Sequence, residues 1–179
     1  MSEGTDPPSR ASGATATTTT STAADGTRLV IAAVLLGLGL GGSFDGIVLH
    51  QVLQWHHLIS TPTPPDTLKN LELNTLGDGL FHAATWILIV AGLFVLMASD
   101  GARHGQGGTR TLIGGILAGW GLFNLVEGVI NHHVLDLHHV RPGPDELLYD
   151  LAFLVWGAVM LIAGVAIVRA QRTDPQARF

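Results

Sequence analysis

The chain has 179 residues, of which 47% are apolar and only 13% charged, with a net charge of −5 and no cysteine. Without cysteine there are no disulfides, thiolate metal sites or thiol catalysis, and with no basic patch nucleic acid is excluded as a partner. The charged share is about half that of a soluble domain. The apolar excess falls in four blocks, 29–53, 80–98, 112–132 and 147–168, each near the ~20 residues a helix needs to cross a bilayer. The expected fold is therefore all-α, a four-helix transmembrane bundle in contact with lipid.

Residues 1–28 are rich in Thr, Ser, Ala, Gly and Pro, including ATATTTTSTAA. Such a stretch buries too little to offset its ordering entropy, so a disordered tail is expected. It lacks the basic start of a signal peptide. The first apolar helix begins near Leu29. It carries Gly37 with Gly41 and Gly42 with Gly46, small-xxx-small pairs that let helices approach closely in lipid. It closes on FDGIVLHQVLQWHH, 44–57, followed by the loop TPTPPD, 61–66. A short surface helix is expected over 66–76. The second apolar helix opens at Gly77-Asp78-Gly79 and carries His82 one turn after Asp78.

The connector SDGARHGQGGTR, 99–110, reads as polar and flexible, with His104 solvated. The third helix repeats the small-residue pattern at Gly115 and Gly119, then enters FNLVEGVINHHVLDLHH, 123–139. RPGPDE, 141–146, mirrors the first proline loop. The fourth helix starts near Leu147, with Tyr149 and Asp150 in its first turn, and ends at Arg169. A polar tail, 169–179, closes the chain.

The two polar stretches are one order written twice. Shifted by 82, Asp45 falls on Glu127, Gly46 on Gly128, His50 on His132, and the pair His56 and His57 on His138 and His139. We read the transmembrane domain, 29–168, as two tandemly repeated helical hairpins, 29–98 and 112–168. Each half crosses twice, so the repeat axis is expected along the membrane normal. A shift of 72 places Asp78 on Asp150 but His82 on Leu154, while Gln51 corresponds to His133. A single central site would then be asymmetric, with His82 as its odd ligand.

A charge at bilayer depth costs ~2.5–3.5 kcal/mol on insertion scales, so buried acids normally face a bundle interior and have partners. Four readings of the acids and histidines stand side by side. The histidines are interfacial and the acids only pair with them. Or imidazoles and carboxylates build a metal centre of the kind that suits copper, iron or zinc, copper-handling or redox-active. Or His50 and His132 are axial ligands of a bis-histidine haem. Or Asp45, Asp78, Glu127 and Asp150 form a proton or ion path through the bundle. Met97 and Met160 belong toward the inner helix ends, which argues against a methionine-rich copper site. The metal reading accounts for most of the residues. If the first and third helices continue through the histidine pairs, the histidines span ~10 Å along the axis at 1.5 Å per residue. Two groups are then expected. The deeper one comprises His50, His82 and His132 with Asp45, Asp78 and Glu127. The outer one holds His56, His57, His138 and His139. No nucleophile triad or phosphate loop names a reaction.

The pair DGIVLHQVLQWHH and EGVINHHVLDLHH, with the four apolar blocks across about 29–168, resembles a bacterial family of predicted membrane proteins of unknown function, DUF2243. The resemblance implies the same four-helix span and excludes the tails. It carries no known catalytic residue. Members of that family occur near cytochrome-oxidase and copper-handling genes, which points to copper and to respiratory oxidase or copper-handling proteins as partners. An oligomer is compatible with it.

Basic residues fix the orientation. Arg10, Arg28, Arg103, Arg110, Arg169, Arg172 and Arg178 lie on the tails and the middle connector, against Lys69 and Arg141 on the other side. The positive-inside rule then places both termini in the cytoplasm of a multi-pass plasma-membrane protein, with every histidine but His104 toward the outer face. Cysteine labelling tests this directly. Thr63→Cys should react with an impermeant thiol reagent applied to intact cells, and Gly105→Cys only after lysis. Labelling of Gly105→Cys from outside would reverse the topology.

Overall fold

The computed structural model describes residues 13–173, with side chains from residue 24 onward. Its helices are α1 (Gly13–Phe44), α2 (Leu68–Met97), α3 (Asp100–His104), α4 (Gly108–Glu127) and α5 (Glu146–Thr173). α1 runs on into a π-helical turn, Asp45–Val52, and α4 into another, Gly128–Val134. Four segments are long and apolar enough to cross a membrane: Ala24–Val52, Leu68–Met97, Gly108–Val134 and Glu146–Thr173. The fold is the all-α, four-span architecture expected from composition.

Three boundaries differ from the sequence reading. Residues 1–12 of the expected disordered tail, and 174–179 of the C-terminal one, lie outside the described residues. From Gly13 on, however, the backbone is already helical and continuous with the first span. Extending a formed helix adds a hydrogen bond per residue without a new nucleation cost, and the alanines of this stretch favour it. The surface helix expected over 66–76 is not a separate element. Thr67 caps α2 by accepting the Asn70 N–H at 3.2 Å, and the helix continues through Gly77 and Gly79 without a break. The connector expected to be irregular contains the short α3. His104 lies there, exposed, with Nδ1 3.1 Å from the Asp100 carbonyl.

The helices pack in the order α2, α1, α4, α5, so α1 and α4 form the centre. α2 and α5 turn large apolar side chains outward, among them Leu80, Trp86, Phe94, Trp156 and Ile162. In water such faces would be a liability, and they mark the lipid boundary. Glycine makes the central contact possible. A Cβ at Gly37 would run into the Ile116 carbonyl, and one at Gly119 into the Val34 carbonyl. The α4–α5 contact has the same character, because a Cβ at Gly121 would strike the Gly157 carbonyl and one at Gly164 the Gly114 carbonyl. Close packing, the reading the sequence favoured for these glycines, accounts for them.

Adding one methyl group at the central crossing forces two backbones apart. Gly119→Ala should lower the stability of the detergent-solubilised protein by ~1–3 kcal/mol. Gly79→Ala, whose new Cβ would meet nothing within 4 Å, should change it by less than ~0.5 kcal/mol. Thermal unfolding of the two variants beside the parent checks the contrast.

Candidate metal centre

The acid and histidine of each half are five residues apart. On an α-helix that spacing puts two side chains about 140° apart around the axis, out of reach. The π-helical turn, with its i→i+5 bonding, brings them onto one face. Asp45 Oδ2 accordingly lies 3.2 Å from His50 Nε2, and Glu127 Oε2 lies 3.1 Å from His132 Nε2. Neither approach is aligned as a hydrogen bond, and His50 Nε2 and Glu127 Oε2 are buried without such a partner.

Both helices then stop. Leu53 N–H reaches back to the Val48 carbonyl and Trp55 N–H to that of Leu49, at 2.8 and 3.0 Å. Leu135 and Leu137 do the same to Ile130 and Asn131, both at 2.8 Å. The reversal is made by residues in the left-handed region, Gln54 (φ 50°) and Asp136 (φ 51°). The chain folds back over the helix end instead of continuing outward. This overturns the expectation of a deep and an outer histidine group, which assumed that the helices continue. His56 and His138 come down into the buried layer beside His50 and His132. His56 and His138 stack at 4.5 Å between ring centroids and 6° between planes, His50 is 4.4 Å from His56, and His132 is 4.9 Å from His138.

The outer nitrogen of each imidazole faces an oxygen, and in all but His132 it is hydrogen-bonded to it. His50 Nδ1 donates to Asp78 Oδ1 at 2.8 Å, and His132 Nδ1 lies 3.2 Å from Asp150 Oδ1. His56 Nδ1 donates to the Val140 carbonyl at 2.8 Å, and His138 Nδ1 to the Leu58 carbonyl at 2.9 Å. The last two cross from one half of the chain to the other. A backbone carbonyl only accepts, so Nδ1 of His56 and His138 carries the proton, and Nε2 is the ligand atom, free in His56 and engaged by Glu127 in His138. His138 Nε2 meets Glu127 Oε1 at 2.8 Å, while His56 Nε2 is buried with no partner. Burial, with His138 and His50 beside it, pushes the His56 imidazole down to about 2, so it is neutral at physiological pH.

Two triads bring one ligand atom each within 4.8 Å of one another: His50, His56 and His138, and Glu127, His132 and His138. The half-to-half counterpart of the second triad would be Asp45, His50 and His56. It is missing among these triads. Aspartate is one methylene shorter than glutamate, and Asp45 makes its close approach to His50 alone.

The remaining expected residues have other places. His57 Nδ1 donates to Asp78 Oδ2 and His139 Nδ1 to Asp150 Oδ2, each at 2.7 Å. Both line an open cleft of about 1010 Å³ together with Gln51, Asp136 and Glu146, and His56 forms part of its wall. Burial opposes the charged form of His139, yet the Asp150 carboxylate, helped by Glu146 and Asp136, raises it above the ordinary imidazole range. His82, expected as the odd ligand, donates Nδ1 to the Asp78 carbonyl at 2.7 Å and covers Gly46. Leu154 covers Gly128 in the same way. Packing over a glycine explains both side chains, and His82 is not in either triad. Asp150 was absent from the expected ligand group, although its alignment with Asp78 at a shift of 72 marked it. The carbonyls of Leu58 and Val140 had no signal in side-chain identity.

No curated protein and no solved structure matches the chain. Residues 32–171 match a family model described as a predicted membrane protein, DUF2243. That match covers most of the first and last spans, all of the two between, and every histidine named above. The chain belongs to the DUF2243 family of predicted membrane proteins.

Proposed function

We propose that the two hairpins are copies of one unit and that together they enclose a single His/carboxylate metal centre near the outer face of the plasma membrane. The observation that carries this reading is an oxygen beside Nδ1 of four buried imidazoles, a hydrogen-bond acceptor for His50, His56 and His138 and an unaligned neighbour at 3.2 Å for His132. Carboxylate or carbonyl acceptors in that position orient a ligating histidine and raise its basicity. A buried His56 Nε2 without a partner is costly in a purely structural core. Interfacial histidines would need none of this arrangement, and His56 and His138 are buried rather than placed at a boundary.

The donor set is imidazole nitrogen with carboxylate oxygen, which suits copper(II), iron or zinc. Among divalent first-row ions such ligands bind copper most tightly, so copper is the favoured occupant. His50, His56 and His138 supply one set of three donors, and Glu127, His132 and His138 the other. The cleft lined by His57 and His139 gives the centre a route to the outer side, where a copper-handling protein or a respiratory oxidase would meet it. Bis-histidine haem fits less well. His138 lies within 6 Å of both His50 and His132, where a porphyrin between them would have to sit. A proton or ion path along the acids is the other alternative.

Elemental analysis of the purified protein tests the reading. Copper, iron or zinc should co-purify with no Soret band. His138→Ala removes a donor from both triads and should lose most of the metal, while His104→Ala should retain all of it. Asp78→Asn keeps the ligands but weakens the hold on His50, and should reduce metal affinity ~10–100-fold. A Soret band would establish haem. Protein free of both metal and haem, or a His138→Ala variant with full metal content, would refute the centre.

A further inference from the structure

The two halves differ on their lipid side in a way that points to a ligand. A groove of about 300 Å³ lies between α1, α2 and α4, walled by Leu38, Phe81, Phe123 and Val126, with Glu127 and Asn131 among its lining. All of these residues belong to membrane-crossing segments, and Val126 is 54% exposed, so the open side meets hydrocarbon rather than water. Glu127 itself is 6% exposed, and its Oε2 has no hydrogen-bond partner. The Asn131 amide reaches Glu127 Oε1 only at a long 3.4 Å.

The corresponding place in the other half is built from different side chains. At a shift of 82, Leu38 corresponds to Trp120, Val126 to Phe44, Asn131 to Leu49 and Glu127 to Asp45. The Trp120 ring lies over Gly41, where a Cβ would come within 2.9 Å of it, and packs against Phe44 at 5.3 Å. Two large rings thus stand on one side where a leucine and a valine stand on the other, while Phe123 of the groove wall corresponds to Gly41. Where the groove is open, the leucine is replaced by an amide and the aspartate by the longer glutamate. The two smaller apolar side chains widen the groove, and the amide makes its lining more polar.

We propose that this groove is a binding site for a membrane-dissolved hydroxylated aromatic, the chemistry of a quinol. Arrival from hydrocarbon requires a mostly apolar body. Glu127 Oε2, which no hydrogen bond engages, can accept a proton donor, the Asn131 amide oxygen can do the same, and a phenolic hydroxyl both donates and accepts. The rings of Phe81 and Phe123, 6.1 Å apart and tilted by 43°, favour an aromatic body over a lipid chain. The volume matches the lower end of small-molecule pockets and leaves a tail in the bilayer. The site reaches the proposed centre through Glu127 but does not require an ion to be bound there.

The test is equilibrium binding of a radiolabelled short-chain alkyl hydroquinone to the full-length protein in lipid nanodiscs, corrected for partition into empty nanodiscs. Saturable binding is expected with and without metal. Leu38→Trp puts into the groove the ring that Trp120 places in the other half, and Asn131→Leu introduces the other half's apolar residue. Each should weaken binding about tenfold or more, Leu38→Trp at unchanged metal content. Leu40→Trp, on the lipid face of the other half, should leave binding as it was. Binding no greater than in empty nanodiscs, or wild-type affinity in both groove variants, would overturn the proposal. So would equal competition by a straight-chain alcohol, which would assign the groove to lipid. Metal content read on the same samples separates this outcome from failure of the proposed centre.

Discussion

The arrangement at the end of the bundle depends on two buried carboxylates, Asp78 on α2 and Asp150 on α5. Asp78 accepts from His50 Nδ1, Gln51 Nε2, His57 Nδ1 and the Leu58 N–H. Asp150 accepts from His139 Nδ1 and the Val140 N–H, with His132 Nδ1 beside it. Each acid therefore joins a helix end, the loop that follows it, and the neighbouring helix. An acid at this depth is costly on its own. Saturated with donors it becomes a fixed point, and the loops have no freedom to leave it. The crossed bonds from His56 to Val140 and from His138 to Leu58 then lock one half of the chain to the other.

The π-helical turns are the second constraint. They carry more residues per turn than an α-helix and are found mostly at functional sites. Here they bring Asp45 under His50 and Glu127 under His132, and they end where Gln54 and Asp136 take left-handed conformations. Sparsely populated backbone geometry of this kind costs ~1–3 kcal/mol per residue and persists only where the surroundings hold it. Gln54 is the more demanding of the two, because an aspartate such as Asp136 tolerates that region better. The hydrogen bonds to Asp78 and Asp150 are what hold these reversals in place. Close glycine packing between α1 and α4 brings the two turns near enough for their histidines to meet.

Much of this was legible in the sequence, and the rest was hidden for identifiable reasons. Four apolar blocks foretold four spans, and the order of acids and histidines shared at a shift of 82 foretold which residues would gather. The five-residue spacing of Asp45 with His50 and of Glu127 with His132 was itself a sign of a wider helical turn, because an α-helix cannot bring such residues together. Read as α-helix, it left the histidine pairs stranded about two turns beyond the centre. Chain reversal at Gln54 carries no glycine or proline signal, so the return of His56 to the core was not visible. His82 misled in the opposite direction. Its lack of a histidine counterpart in the other half marked it as an odd ligand, but its ring fills the space over Gly46 as Leu154 does over Gly128. Hydrogen bonds to the Leu58 and Val140 carbonyls depend on tertiary position alone.

The central claim is that buried imidazoles with fixed Nδ1 protons present Nε2 to an ion, with a carboxylate beside them. X-ray absorption at the edge of the co-purified metal tests it most directly. The account predicts a first shell of nitrogen and oxygen only, at ~2.0–2.1 Å, with the outer-shell scattering of at least two imidazole rings. A sulfur scatterer, a porphyrin pattern, or a shell of oxygens without imidazole would contradict it.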